Sequence, residues 1–390
     1  MAPSPTAPVR PPSAGSSRAC SNGPAKPAPT AITPRACSRC WSGITPPGGN
    51  LPKKARPLGI LEAVKKFGWP EPGSEIKSVE LLVGEPCNAR CLFCCAGASG
   101  AGAWRPFAEL EAELARARRR GAWLVTLSGG EATLSPDLFR LAARARALGF
   151  KSVQVLTNGL KFASPAFARR AAAAGIDEVK VSLHGVDAAT HDRLTGVPGS
   201  FDKAMLAFAN LNAAGIKASA NFAVTRLNYR QMPLYARLVA GRLGLTGLCF
   251  MFSFYEGDML PNSSRLSVRY GEVLPYLRLA LEYIRRAGIK IESRMISNFT
   301  PCLAPEYENI MIDWGARGAA RSGHVFKDGK RRRAAEFYAP RKAQLPACAG
   351  CAYADACYGV DRSYVSAYGG GEFAAVPRRR RRFPLKPLYP

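Results

Sequence analysis

Between residue 78 and about residue 298, short runs rich in β-branched and apolar residues alternate with longer stretches whose apolar positions recur at helical spacing. The short runs predict six strands, over residues 78–83, 123–127, 153–157, 178–183, 217–224 and 248–253. Between them, Phe107, Leu110 and Leu114 trace one helix face, and Leu138, Leu141, Ala145 and Leu148 trace another. Two of the helices open with a Ser-Pro pair, Ser135-Pro136 and Ser164-Pro165, where serine can cap the first amides and proline fits the first turn. Gly121, Gly149, Gly175, Gly215 and Gly288 stand just before the next strand, where a left-handed residue ends a helix. Six strand-helix units in series predict an α/β fold with a parallel sheet and right-handed crossovers, either flat or curled. If the sheet closes like a barrel, chemistry belongs at the C-terminal ends of its strands.

Outside this region the pattern fails. Residues 1–56 are rich in Pro, Ala, Ser and Gly, and the first acidic residue of the chain is Glu62. Such a segment has too little apolar surface for a core and reads as a disordered arm, followed by a lead-in over 57–75. It lacks the apolar stretch of a secretory signal. Its prolines oppose the amphipathic helix of an organellar transit peptide, and a misassigned start codon is an equally plain explanation. After about residue 299 a loop-rich stretch follows to about 375, and then a basic tail over 376–390.

The 390 residues carry 55 Lys and Arg against 28 Asp and Glu, a formal charge of +27, which favours anionic partners without naming one. Much of that charge lies at the ends and in the run 330–333, with no interleaved aromatic RNA-binding signature, so nucleic acid is not required as a partner. No run of about 18 apolar residues occurs, so no membrane span is expected. Twelve cysteines beside three histidines point to thiolate chemistry. Of these, Cys37 and Cys40 read as free thiols in the arm, as does Cys20, and Cys249 reads as a small buried residue inside a strand.

The chemistry concentrates just past the first strand, in Cys87-Asn88-Ala89-Arg90-Cys91-Leu92-Phe93-Cys94-Cys95. The spacing C-x3-C-x2-C gathers three thiolates on one loop, enough for three irons of a cubane cluster, with the fourth iron left open. Structural zinc is the alternative, but it wants four ligands, and Cys95 adjoins Cys94 and points elsewhere if Cys94 ligates.

In this loop the sequence resembles the radical S-adenosylmethionine (SAM) enzymes, whose hallmark is this cysteine triplet with an aromatic residue, here Phe93, before the last cysteine. The second strand ends in Ser128-Gly129-Gly130-Glu131, similar to the family's Gly-Gly-Glu element. The bare glycines would admit the methionine moiety, and Glu131 could accept from its ammonium group. Thr157 and Asn158 at the third strand end and Ser182 at the fourth are similar to positions that line the nucleoside. His184 reads equally as a structural histidine or as part of the site. Asn221 and Met251 face the same end if the register holds.

The resemblance covers about residues 76–298 and implies a partial (β/α)6 TIM-like barrel with a C-terminal loop-rich auxiliary cluster domain. It also implies a 4Fe-4S cluster that cleaves SAM to a 5′-deoxyadenosyl radical, which abstracts hydrogen from substrate. A small molecule or a peptide is expected as substrate, with Tyr255, Glu256 and Asp258 as candidate contacts. The reducing electron would come from a donor such as flavodoxin or ferredoxin in the cytoplasm. An RNA-modifying enzyme of the same kind is the nearer alternative. A non-catalytic iron-sulfur or zinc-binding protein is the farther one.

Cys302, Cys348, Cys351 and Cys357 supply four more thiolates, in an order that resembles the SPASM and twitch extensions of these enzymes. Four cysteines suit one auxiliary 4Fe-4S cluster, with zinc as the alternative. Asp361 stands where a C-x2-C-x5-C-x3-C pattern would put its last cysteine, and is a further candidate ligand.

Overall fold

The computed structural model describes residues 78–97, 102–289, 296–311, 322–325, 331–333, 340–354 and 357–377. The arm with Cys20, Cys37 and Cys40, the lead-in and the tail beyond residue 377 lie outside the described residues.

The six expected strands form in order: β1 Ser78–Leu82, β2 Leu124–Ser128, β3 Ser152–Thr157, β4 Glu178–Ser182, β5 Lys217–Val224 and β6 Gly247–Phe252. Each differs from its expected bounds by at most a residue at either end. Helices α1 Phe107–Arg119, α2 Leu138–Ala147, α3 Pro165–Ala173, α4 Ala188–Thr195, α5 Ser200–Ala213 and α6 Met232–Ala236 connect them. After β6 come the short α7 Ser263–Leu266 and the long α8 Tyr270–Arg286. The strands pair in parallel in sequence order, as the alternation of elements predicted, and form the partial barrel that the resemblance implied.

Burial alternates along β1, β2 and β4 because one face meets the helices, whereas β5 and β6 are buried almost throughout. Val79, Leu81, Val125, Leu127, Val153, Val155, Val179 and Val181 are buried with Leu110 and Leu114 of α1 and Leu138 and Leu141 of α2 in one core. The opposite face is polar and tied across the strands. Ser128 Oγ donates to Glu80 (2.7 Å), Thr126 Oγ1 to Gln154 (3.1 Å) and Gln154 Nε2 to Glu178 (2.8 Å).

All five expected helix-ending glycines have positive φ. Ser164 accepts from the Phe167 amide (3.4 Å) with Pro165 in the first turn, as expected. Ser135 does not cap α2. It accepts from Asp137 N in the preceding turn (3.3 Å), and the helix begins only at Leu138.

The sheet also extends beyond the six strands. A two-residue β7, Ile296–Ser297, pairs with β6. On the other side, β8 Ser322–Val325 runs parallel to β1, and β9 Arg331–Arg333 pairs antiparallel with β8. These strands lie in the stretch that shows no alternating pattern, so periodicity did not reveal them. A small second sheet joins β10 Lys342–Ala343 to β11 Val360–Asp361, and α9 Arg362–Tyr368 follows directly. Among the described residues no helix is long and apolar enough to cross a membrane.

Candidate active site

The triplet sits on the loop that leaves β1 at the C-terminal edge of the sheet. Backbone bonds fix that loop on both sides. Arg90 N and Leu92 N donate to Thr195 O (2.8 Å) and Leu194 O (2.9 Å) at the end of α4, and Asp258 N donates to Cys94 O (2.8 Å) from the loop after β6. Leu92 and Phe93 pack on Leu194, Met259 and Leu266.

Cys87, Cys91 and Cys94 are all half-buried. Burial pushes the Cys91 thiol up to about 12, and the nearby Cys94, Cys87, Glu131 and Asp258 push it the same way. Burial raises Cys87 as well, with Glu131 and Cys94 adding to it. Thiols gathered in this way could serve as donors to a positively charged metal centre, whose charge would favour their ionisation. Ala89 N points at Cys87 Sγ (3.4 Å), a bond that favours thiolate. Cys95 turns away, its thiol donating to Phe254 O (3.2 Å).

The Gly-Gly-Glu element is built against this loop. Gly130 N donates to Gly84 O and Glu131 N to Pro86 O, each at 2.9 Å. A Cβ on Gly130 would lie 2.0 Å from Glu85 O, and one on Gly129, whose φ is +135°, would lie 2.3 Å from Gly84 O. The missing side chains therefore admit the entry to the cysteine loop, where the sequence suggested room for a ligand. Glu131 is 1% exposed and already has four donors. Thr133 N (3.0 Å), Thr133 Oγ1 (2.5 Å) and Thr157 Oγ1 (2.6 Å) reach Oε1, and Asn158 N (2.6 Å) reaches Oε2. Burial pushes this carboxyl up while those bonds pull it down. Asn158 Nδ2 continues the chain to Asn88 Oδ1 (2.7 Å), so the ends of β2 and β3 and the cysteine loop form one connected frame.

Ser182 is half-buried on the face of β4 opposite Val179 and Val181. The register pairs it with Asn221, and Ala223 with Met251, which puts Asn221 and Met251 on the Ser182 face.

His184 is 4% exposed, and its Nδ1 accepts from Ala223 N (3.0 Å). Its own amide donates to His191 Nδ1 (2.9 Å), so both rings carry their proton on Nε2. The His184 ring meets Phe93 edge-on at 4.5 Å, bracing the cysteine loop from behind. His191, which no spacing signalled, completes this brace. Burial lowers His191 to about 4 and His184 well below its usual value. Unfolded imidazoles protonate below about pH 6.5, and these buried rings resist it, so their stabilisation is present above that pH and is lost on acidification. Going from pH 7 to pH 5 should withdraw about 2 kcal/mol through His191, with His184 acting in the same direction. Urea midpoints at the two pH values measure this, and equal midpoints would contradict a neutral buried pair.

The C-terminal thiols also converge. Cys302, Cys348, Cys351 and Cys357 line one hollow with about 400 Å³ of atom-free space, part of it open to solvent. Backbone amides aim at three of the sulfurs: Leu345 N at Cys348 (3.4 Å), Val376 N at Cys351 (3.4 Å) and Gly359 N at Cys357 (3.3 Å). Such N–H···S bonds suit thiolates in an iron-sulfur site. Among the described residues no three His, Cys, Asp or Glu converge on a position for a single metal ion. Gly359 and Val360 line the hollow, but Asp361 faces the opposite cavity and caps α9 through Tyr364 N (3.0 Å), which corrects its reading as a ligand.

Of the expected substrate contacts, Tyr255 lines that opposite cavity. Glu256 does not, because Arg341 grips its carboxylate at 2.7 and 3.0 Å. Asp258 serves the cysteine loop through its amide.

Residues 81–232 match the Radical SAM superfamily model. The chain is 31% identical over 189 residues to a probable GTP 3′,8-cyclase of Thermoplasma volcanium, covering 48% of this chain and 57% of that protein. It is 31% identical over 180 residues to the Fe-coproporphyrin III synthase of Methanosarcina barkeri, covering 44% of this chain and 42% of that protein. It is 34% identical over 165 residues to the mycofactocin maturase MftC of Mycobacterium tuberculosis, covering 41% and 40%. The chain thus spans about half the length of the curated relatives it matches. In fold it is similar to Streptococcus suis SuiB bound to precursor peptide SuiA, with a TM-score of 0.58 at 15% identity over 88% of this chain and 85% of that one. The triplet, the Gly-Gly-Glu frame and strands β1 to β5 lie within or beside the segment that the superfamily model matches, so the chain carries a radical SAM domain over residues 81–232.

Proposed function

We propose that this chain is an enzyme that holds a 4Fe-4S cluster on Cys87, Cys91 and Cys94, cleaves SAM reductively, and takes hydrogen from a small-molecule or peptide substrate. The observation that carries this reading is the placement of three thiols on one loop at the sheet's C-terminal edge, locked to the Gly-Gly-Glu strand end. When bound, the cluster and SAM supply the electron transfer and the 5′-deoxyadenosyl radical. The chain's own residues hold and orient. Glu131, Thr157 and Asn158 keep two strand ends in register with the cysteine loop, and the His184 brace fixes Phe93. Ser182 presents a hydroxyl where the nucleoside would lie. An electron donor such as flavodoxin or ferredoxin and a cytoplasmic setting fit this chemistry.

Cys302, Cys348, Cys351 and Cys357 would hold one auxiliary 4Fe-4S cluster, and their amide-capped sulfurs favour it over zinc. Both substrate classes have support: the cyclase and synthase relatives bear names of small-molecule chemistry, and SuiB was solved with a precursor peptide.

Anaerobic reconstitution with iron and sulfide, followed by reduction in the presence of SAM, tests the reading. Release of 5′-deoxyadenosine is expected, and a bound cluster that releases none would place the chain among non-catalytic carriers. Cys351→Ala should lower the iron content by the auxiliary share and impair substrate turnover, yet leave uncoupled SAM cleavage measurable. Loss of all cleavage in that variant would mean that the two cysteine sets do not act as separate sites.

A further inference from the structure

A second cavity lies at the barrel mouth, with about 340 Å³ of atom-free space that includes some open solvent. Its walls are mainly apolar: Val224 from the end of β5, Phe252 from the end of β6, and Met259, Val268 and Tyr270 beyond. Met259 and Tyr255 also pack with Leu92 and Phe93, so the floor of the cavity is the layer that supports the cysteine loop. A group of single side-chain size fits such a space.

Polar atoms on the wall are mostly committed elsewhere. Ser267 Oγ donates to Ser263 O (2.6 Å) and bonds Tyr368 Oη (2.7 Å), and Tyr364 Oη accepts from Tyr270 N (2.9 Å) and bonds Glu372. Asp361 brings a carboxylate to the same wall. Side chains of a strand point alternately to its two faces, so Val360 of β11 lines the four-cysteine hollow while Asp361 lines this cavity. Asp361 is 5% exposed and accepts from the backbone amides of Tyr364 (3.0 Å) and Ser363. Lys342, its partner across β10 and β11, is also buried. Burial nonetheless raises the Asp361 carboxyl above its ordinary value, outweighing both the backbone bonds and Lys342. A carboxylate so placed gains from one more positive charge.

We propose that this cavity binds an apolar group of single side-chain size bearing a primary amine, with Asp361 as the anchor of the ammonium. That the occupant is the substrate rests on the function proposed above, whereas the binding itself does not.

The test uses the full chain with its iron-sulfur content reconstituted anaerobically, titrated at neutral pH and followed by NMR. Phenethylamine is the probe, with phenethyl alcohol and 3-phenylpropionate as its uncharged and anionic counterparts. The amine should bind at least about 10-fold more tightly than the alcohol, as expected of a charge-assisted contact, and the acid should not bind. Asp361→Asn keeps an acceptor for Tyr364 N and should retain wild-type iron while losing the preference for the amine. Val268→Phe fills the cavity and should weaken amine and alcohol alike. An amine that binds no better than the alcohol overturns the proposal, as does a preference that survives Asp361→Asn or probe binding unaffected by Val268→Phe. If Asp361→Asn does not fold, the wild-type amine-to-alcohol ratio and Val268→Phe decide. A preference for the amine in protein that releases no 5′-deoxyadenosine would uphold the cavity and defeat the enzymatic reading. The converse result would do the reverse.

Discussion

Cys91→Ala is expected to abolish SAM cleavage, whereas Cys95→Ala should leave it largely intact. Cys91 shares its surroundings with both other thiols of the triplet, and removing it leaves two thiolates where three are needed to hold a cubane with one open iron. Cys95 is next in sequence and also buried, but its sulfur spends its hydrogen on Phe254 O at 3.2 Å, toward the loop after β6. Replacing it loses one weak bond to a backbone carbonyl and no metal ligand. Iron content and 5′-deoxyadenosine released after chemical reduction measure both variants. If Cys95→Ala were the inactive one, the third ligand would have to be reassigned and the loop would have to turn over.

Gly130→Ala should be among the most damaging single methyl groups in the barrel. The added carbon would stand 2.0 Å from Glu85 O and 2.4 Å from Pro86 O, both backbone atoms with no rotamer through which to yield. Overpacking of this kind costs about 3 kcal/mol when the structure absorbs it. Absorbing it here means pushing the cysteine loop off the end of β2 and breaking the 2.9 Å bonds from Gly130 N and Glu131 N. Lower denaturation midpoints and depressed iron loading are therefore expected together. Gly215→Ala is the matched control. Its φ of +70° makes the change a strained one, worth about 1 kcal/mol, but nothing lies within 4 Å of the new carbon, and iron loading should be normal. Normal loading in Gly130→Ala would show that the contact between strand end and loop does not shape the site.

The parallel sheet was legible in the sequence because β1, β2 and β4 bury one face against helices, which writes period two into the strands and period 3.6 into the helices. Spacing also brought out the triplet, since all three thiols come from one loop. What the sequence hid was made by pairing across distance. Asn88 meets Asn158 over 70 residues, and Ala223 N meets His184 over 39. Neither pair has a local signature. β7 and β11 are two residues each, too short for any period. The glycines of the Gly-Gly-Glu element were conspicuous, but their spatial partner was not, because a missing side chain does not say which neighbour needs the room. Asp361 was misjudged for a related reason: counting along the cysteine pattern gives its position in sequence but not the face of the strand on which it lies.

That face matters beyond this one residue. β11 is a partition between two rooms, with Val360 on the side of the four C-terminal thiols and Asp361 on the side of the barrel mouth. Deleting or inserting a single residue ahead of it would exchange the two side chains, lodging an acid among sulfurs and leaving a hydrocarbon where the charge had been. A change in length between Cys357 and β11 would therefore disturb both rooms at once, whereas a substitution at residue 361 would alter only one.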